Sequence, residues 1–183
     1  MNTDAAFLTF FRRLSLPQRR RNRRGFTLLE LLTVVTMVGI LSSVAIPNFL
    51  NSTDRSRYAQ ASGDMGRMKT ALNEFFENNS NFPGDVDNGQ VPAGIANGYL
   101  RDWPTSGPFG ATYDYDSYNS GTGSCYIQIV FRGKNAARDV PNNQVLFVKP
   151  GMYRQSNQSL FNMVDDQVLS MGVTPGSCRP SGT

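Results

Sequence analysis

The feature that most constrains this 183-residue chain is an uninterrupted apolar run near its N-terminus. The run covers residues 26–46, which are 21 residues with one charge, Glu30, and Pro47 follows it directly. At about 1.5 Å per residue, a helix of this length spans roughly 31 Å, which matches a bilayer hydrocarbon core of about 30 Å. The buried helix of a soluble domain is usually shorter, so the run predicts a helix that crosses a membrane.

Glu30 is the unusual residue of this run. An ionised carboxylate at the centre of a membrane helix costs about 2.5–3.5 kcal/mol on insertion scales, and less towards the interface. Such a group indicates a functional partner elsewhere, or a position shallow enough to reach the lipid head groups. Its place in the sequence leaves both interpretations open.

The positive charge of the chain is concentrated before the apolar run. The whole chain has a net charge of +4, but residues 1–25 alone carry seven arginines and one acid, and the remainder is therefore at −2. Basic residues that precede a membrane span stay in the cytoplasm, which predicts a cytoplasmic N-terminus and an exported C-terminal domain. The net positive charge of the whole chain is therefore no argument that residues 26–183 bind nucleic acid.

Residues 24–31 read RGFTLLEL and closely resemble the processing site of type IV pilins and type II secretion pseudopilins. The resemblance implies that a prepilin peptidase cleaves after Gly25 and methylates the amine of Phe26. Glu30 matches the glutamate that the family carries at this distance from the cleavage site, and the family's helix-bending proline corresponds to Pro47.

Other targeting signals also place basic residues before an apolar run. A twin-arginine signal at residues 23–24, or an ordinary secretory signal, would be cleaved after the run, near residues 43–45. Glu30 inside the run argues against both signals. An uncleaved single-span anchor is a further alternative, and it predicts an intact N-terminus.

The helix is expected to continue beyond Pro47 as far as residue 77. Semi-apolar and apolar side chains recur there every three or four residues, at Tyr58, Ala61, Met65, Met68, Leu72 and Phe75. This spacing predicts one apolar face and one solvated face. Pro47 removes a backbone hydrogen bond and is expected to bend or locally open the helix.

Residues 78–183 are expected to form a small β-rich domain. The predicted strands are Ala111–Tyr118, Tyr126–Phe131 and Gln144–Lys149. In the first strand two tyrosines alternate with Asp114 and Asp116, which predicts a buried face and a solvated face. Three short strands cannot bury both faces alone, so the amphipathic half of the helix is expected to cover them, which gives an α+β fold.

A short helix is predicted near the end of the chain, over residues Ser159–Met171. Its apolar stripe would contain Leu160, Val164 and Val168, and Gly172 would end it.

Two cysteines and the absence of histidine limit the chemistry of this chain. Cys125 and Cys178 are expected outside the cytoplasm, where a disulfide between them would close a loop of about 54 residues and contribute roughly 4 kcal/mol; the alternative is two free buried thiols. No catalytic set, phosphate loop or zinc spacing is recognisable, so the sequence predicts no enzyme.

Calcium is the one cofactor with candidate residues. Residues 85–89 are similar to the start of a calcium loop, but the glutamate that should follow is missing, which favours a surface turn. Some major pseudopilins hold calcium in a loop after their first strand, and this resemblance makes Asp116, Ser117 and Asn119 candidate ligands.

The resemblance to pilins points to two branches of the family. The segment Pro108–Tyr113 resembles one that precedes the small sheet of major pseudopilins, whereas a cysteine near the C-terminus resembles the disulfide-bounded region of type IV pilins. The resemblance implies a cleaved leader at 1–25, an assembly segment at 26–47, an amphipathic segment at 48–77 and an exported domain at 78–183.

The resemblance also implies a function and partners. The chain would be a structural subunit of a pilus or pseudopilus, in a homo-oligomeric filament with other pilins. Its further partners would be the prepilin peptidase, the inner-membrane assembly platform and, before assembly, membrane lipid. The alternative is a minor pilin that acts as a binding module for DNA or surfaces.

Overall fold

The computed structural model describes residues 25–121, 123–141, 147–154 and 165–179. Its regular elements are the helix α1 (Leu28–Asn79) and the strands β1 (Asn81–Phe82), β2 (Tyr113–Gly121), β3 (Ser124–Phe131), β4 (Gly151–Arg154), β5 (Gln167–Pro175) and β6 (Ser177–Cys178). A short 3-10 helix covers Pro108–Gly110. The chain divides between Ile46 and Pro47 into two compact units, which are described separately.

The single long helix predicted from the sequence is confirmed. α1 has 52 residues and contains Pro47 in its interior, and its ends differ from the predicted bounds by only two residues. Shifts of this size are within the normal uncertainty of helix ends.

The second unit has its main core between α1 and a sheet, as the apolar spacing predicts. The side chains of Ala61, Met65, Met68 and Leu72 have no solvent exposure. They share one core cluster with β2, β3 and β5. Burial of a methionine or leucine side chain contributes about 1.5–3 kcal/mol, so this stripe stabilises the unit substantially.

The sheet has four antiparallel strands in the order β2-β3-β5-β4. The predicted strand Tyr126–Phe131 is confirmed as the last six residues of β3, and all six are buried. Ile127 and Ile129 belong to the core cluster below α1, whereas Val130 packs with Val168 and Phe147 on the other face. This division follows the alternation of side chains along a strand.

The prediction of a helix over Ser159–Met171 is wrong for the residues of this range that the structure describes. Residues 167–171 lie in β5 and pair with β3, while residues 159–164 lie outside the described residues. Gly172 does not end a helix; it has a φ of 78° at a register shift in the strand. A Cβ at this position would lie 2.8 Å from the carbonyl oxygen of Val148, which explains the glycine.

The predicted strand Gln144–Lys149 is also wrong where it can be compared. Its residues 144–146 lie outside the described residues, and Phe147–Lys149 are not in a strand. The edge strand of the sheet is β4, which starts at Gly151.

The expected disulfide between Cys125 and Cys178 is confirmed. It connects β3, in the middle of the sheet, to β6, which pairs in parallel with β1 directly after α1. The C-terminal strand is thereby held against the end of the helix.

Candidate processing and assembly site

The first half of α1 presents an apolar surface that no other described residue of its unit covers. Large hydrophobic side chains between residues 28 and 50 are more than half exposed, from Val34 at 53% to Leu28 at 88%. Soluble monomers rarely expose contiguous apolar patches of such size, so lipid or protein must cover this one. By length and composition α1 can cross a membrane, and it is the one such helix among the described residues.

Thr27 and Glu30 form a reciprocal cap at the start of this helix. The Oε2 atom of Glu30 accepts hydrogen bonds from the main-chain N–H of Thr27 at 3.0 Å and from its hydroxyl at 2.9 Å. In return, the N–H of Glu30 donates to Oγ1 of Thr27 at 3.1 Å. This capping box satisfies N–H groups that the first turn leaves without partners.

The capping box was missed in the sequence analysis, although its signal is present. Thr27 and Glu30 have the S/T-x-x-E spacing that identifies such a cap. Only Oε2 of Glu30 is used, and among the described residues Oε1 has no hydrogen-bond donor. Glu30 can therefore cap its own helix and still offer one oxygen to a cation.

Gly25 and Phe26 precede the helix in an open position. Phe26 is 85% exposed, and a Cβ at Gly25 would meet no atom within 4 Å. A larger residue at position 25 therefore meets no steric obstacle among the described residues. Any intolerance of substitution there would have a cause other than contacts among the described residues.

The predicted solvated face of the strand at Asp114 and Asp116 is wrong. Both residues are only 5% exposed, because the side chain of Arg138 covers them. Its guanidinium lies 2.6 Å from Oδ2 of Asp114 and 2.5 Å from Oδ2 of Asp116, and its Nε donates to the carbonyl of Val140 at 2.7 Å. Burial alone would lower the pKa of Arg138. The hydrogen bonds and charges of the two carboxylates outweigh this effect, so the pKa of Arg138 is raised above its usual value.

The three residues predicted to bind calcium do not converge in the described structure. The Asp116 carboxylate is bound to Arg138 and to Nε2 of Gln128, the latter at 2.6 Å. On the opposite face of the strand, the hydroxyl of Ser117 donates to the carbonyl of Pro83 at 2.9 Å. The side chain of Asn119 accepts from the N–H of Cys178 at 3.3 Å.

A polar cavity of about 320 Å³ lies beside this ion-pair network. It is lined by Asp85, Val86, Asp87, Asn88, Asp114, Asp116 and Arg132. Burial raises the pKa of Asp85 from 3.8 to about 6, and the charges of Asp116 and Asp114 add to the effect, although Oδ1 of Asp85 accepts a hydrogen bond from the N–H of Ser117.

The substitution Asp85→Asn is expected to stabilise the protein at neutral pH. Between pH 3.8 and about 6 the folded state holds the Asp85 proton more tightly than the unfolded state does, so the contribution of Asp85 to stability falls as pH rises through this window. The side chain is partly exposed to solvent, which reduces the expected gain at pH 7 to about 1 kcal/mol. Asparagine keeps the acceptor for Ser117.

Urea denaturation of the full chain at pH 4 and pH 7 measures this gain. The difference between variant and wild type should vanish at pH 4, and Asp87→Asn in the same segment controls for the loss of one negative charge. A variant that is less stable than the wild type at pH 7 would contradict the prediction.

Comparison with known proteins supports the N-terminal motif. Residues 20–46 match the family model described as the prokaryotic N-terminal methylation motif. The chain is 35% identical over 65 residues to the Type II secretion system core protein G of Klebsiella michiganensis, which covers 36% of this chain and 46% of that protein. It is 45% identical over 53 residues to the Type IV major pilin protein PilA of Myxococcus xanthus, which covers 29% of this chain and 24% of PilA.

A longer similarity extends into the globular unit. The core protein G of Pseudomonas aeruginosa is 29% identical over 108 residues, which cover 53% of this chain and 75% of that protein. In the Klebsiella and Myxococcus relatives, the chain spans less than half of the relative's own length. No solved structure gives a significant match.

The methylation motif lies at the start of the exposed apolar helix, and the helix leads into a small antiparallel sheet. The similar proteins include both pilins and secretion pseudopilins. The chain carries this methylation motif and is similar to type IV pilins and type II secretion pseudopilins.

Proposed function

We propose that the chain is a structural subunit of a type IV pilus or a type II secretion pseudopilus. The observation that carries this proposal is the exposed apolar surface of residues 28–50, most of which lies within the matched methylation motif at residues 20–46. A helix that is apolar all round needs lipid or other helices as neighbours, and a filament of identical subunits supplies such helices.

In this proposal the subunit passes through two stages, one in the membrane before assembly and one in the filament. Before assembly, the arginines of residues 1–25 hold the N-terminus in the cytoplasm, and the apolar half of α1 anchors the chain in the inner membrane with its sheet outside. A prepilin peptidase then removes residues 1–25 and methylates Phe26. During assembly the helices leave lipid and pack against one another, which exchanges lipid contacts for protein contacts.

Glu30 has a proposed role in the second stage. In a bundle of apolar helices its charge has no water or head groups nearby, and it needs a cation. By family resemblance that cation is the methylated amine of Phe26 on the neighbouring subunit. The Oε1 atom, which the capping box leaves without a donor among the described residues, is the oxygen that would receive it.

Mass spectrometry of the protein isolated from its own membranes tests the proposed processing. The expected N-terminus is methylated Phe26, with residues 1–25 absent. An intact Met1 would contradict the proposal and favour an uncleaved single-span anchor.

The substitution Gly25→Val is expected to block cleavage. A branched side chain holds the scissile bond away from the peptidase, and a displacement of about 1 Å can reduce a rate roughly a hundredfold. Because a Cβ at Gly25 meets no atom of the part of the chain that the structure describes, the folded domain should be unaffected. Immunoblots of precursor and mature chain measure the effect, with Gly25→Ala as the milder control. Normal processing of Gly25→Val would refute this reasoning.

A further inference from the structure

Two Asn-Gly pairs occur in the sequence, Asn88–Gly89 and Asn97–Gly98, and both lie between β1 and β2. In such a pair the amide nitrogen of the glycine can attack Cγ of the asparagine side chain before it, because glycine has no Cβ that obstructs the approach. The attack converts the asparagine into an acid, so each pair is a candidate for chemical modification.

Exposure to solvent does not distinguish the two pairs. The side chains of Asn88 and Asn97 are both exposed. Water and hydroxide can therefore reach either amide, and a difference in reactivity must come from hydrogen bonds and backbone geometry.

Hydrogen bonds hold both reacting groups of the first pair. The N–H of Gly89 donates to the carbonyl oxygen of Tyr113 on β2 at 2.8 Å. Oδ1 of Asn88 accepts from the hydroxyl of Thr112. Nitrogen and side chain can meet only after these bonds break, which costs free energy that the hydrogen bonds contribute to the fold.

The second pair has no such bonds. Among the described residues, the N–H of Gly98 donates no hydrogen bond, and the side chain of Asn97 has no hydrogen-bond partner. The amide nitrogen of Gly98 is therefore free to lose its proton to solvent, and the Asn97 side chain is free to turn towards it.

The two glycines also differ in what the fold requires of them. Gly89 has a φ of 73°, a conformation that favours glycine. Gly98 is not among the residues with positive φ, and a Cβ there would meet no described atom within 4 Å. An alanine at position 98 is thus compatible with the fold, which makes the second pair open to a clean test.

The turn that carries Asn97 is anchored at both ends. The N–H groups of Tyr99 and Leu100 both donate to the carbonyl oxygen of Ile95, at 3.1 Å and 3.2 Å. Ile95 has no solvent exposure, and the ring of Tyr99 packs against Phe75 of α1 with a centroid distance of 5.2 Å. The reactive pair is therefore presented at the surface on a short segment fixed to the core.

We propose that Asn97–Gly98 is a modification site at which the chain deamidates without an enzyme. The Gly98 nitrogen loses its proton to solvent base and forms a bond to Cγ of Asn97, and the Cγ–Nδ2 bond breaks. The leaving nitrogen takes up a proton and departs as ammonia, which leaves a five-membered succinimide ring. Water then opens the ring at one of its two carbonyl carbons and gives aspartate or isoaspartate.

The reaction changes the charge and the main chain of the turn. It adds one negative charge, which takes residues 26–183 from −2 to −3. The isoaspartyl product also adds one methylene group to the main chain between Ile95 and Tyr99, whose positions are anchored. The modified fraction grows with time, so it records the age of the subunit. This inference does not depend on the proposed filament function.

Mass spectrometry of the full chain, kept in detergent micelles at mildly alkaline pH and sampled over weeks, tests the site. A tryptic peptide of residues 70–101 contains both pairs, so its fragment ions measure conversion at each in the same molecule. Two products are expected at Asn97, and one of them should coelute with the peptide of Asn97→Asp. Conversion at Asn88 should be at least about tenfold slower, because two hydrogen bonds must break first. Equal rates, or no conversion at Asn97, would overturn the proposal.

Two variants test the mechanism. Gly98→Ala places a methyl group beside the attacking nitrogen, so it should fold like the wild type and convert at Asn97 roughly tenfold more slowly or less. Thr112→Val removes the hydroxyl that binds Asn88 but keeps the shape of the side chain. It should accelerate conversion at Asn88 and leave Asn97 unchanged. Conversion of Asn97 at the wild-type rate in Gly98→Ala would overturn the attack by Gly98.

Discussion

Glu30→Ala is expected to be cleaved after Gly25 like the wild type and to enter filaments roughly a hundredfold less. Without the carboxylate, the methylated amine of a neighbouring Phe26 has no counter-charge in the helix bundle. An unpaired cation in such surroundings costs about 3 kcal/mol, and each 1.4 kcal/mol is about tenfold in an equilibrium constant. The ratio of subunit in sheared filaments to subunit in membranes measures the effect.

The capping box requires two controls for this experiment, because Glu30 also binds Thr27. Glu30→Gln keeps an acceptor for the helix N-terminus but has no charge, so it should fail like Glu30→Ala. Thr27→Ala removes the side-chain cap, worth about 1 kcal/mol, but keeps the charge, so it should assemble nearly normally. If Glu30→Gln assembles at the wild-type level, the pairing of charges is not the role of Glu30.

Arg138→Met is expected to destabilise the globular unit by about 3–5 kcal/mol, because removal of one partner from a buried ion pair leaves the other charge uncompensated. Here Asp114 and Asp116, each 5% exposed, would both lose their main cation. Arg132 would remain near Asp114, at 3.2 Å, but its side chain is 22% exposed. Chemical denaturation monitored by the fluorescence of Trp103 measures the loss.

A charge-neutral variant separates the ion pairs from simple packing. When Arg138→Met is combined with Asp114→Asn and Asp116→Asn, no charge is left uncompensated, and most of the stability should return. Arg138→Lys keeps the charge but not the forked geometry that reaches both aspartates, so its loss should be intermediate. A loss below about 1 kcal/mol in Arg138→Met would contradict this account.

The elements predicted correctly are those whose signal lies within one segment. The apolar run, its continuation as a stripe to Phe75 and the strand around Ile127 are each encoded by local periodicity and composition. The cap formed by Thr27 and Glu30 was equally local and was missed, because the glutamate was considered only as a charge in a membrane helix.

The elements predicted wrongly depend on residues far along the chain. Val168 is four residues after Val164, which reads as a helical stripe, yet β5 is a strand buried on both faces and so lacks the alternation of a half-exposed strand. Asp114 and Asp116 alternate with tyrosines as solvent-facing residues would. Arg138, which covers them, is 24 and 22 residues away, and no local pattern indicates the contact.

The cluster of Asp139 with the two aspartates before β5 has the same origin. Asp139 is 26 residues before Asp165 and 27 before Asp166, and this spacing matches no local motif. Pairing of β5 with β3 brings the three aspartates together, so only the folded chain shows that they are neighbours.

The disulfide between Cys125 and Cys178 has a mechanical consequence. The two cysteines are 53 residues apart, so the covalent link encloses β4 and β5 in a closed loop. If a tensile load across the globular unit unfolded it, this loop could not extend. At about 3.4 Å per residue, the closed loop would reduce the maximum extension of the unfolded unit by roughly 180 Å. A loaded subunit with the bond intact would therefore yield only through residues outside this loop.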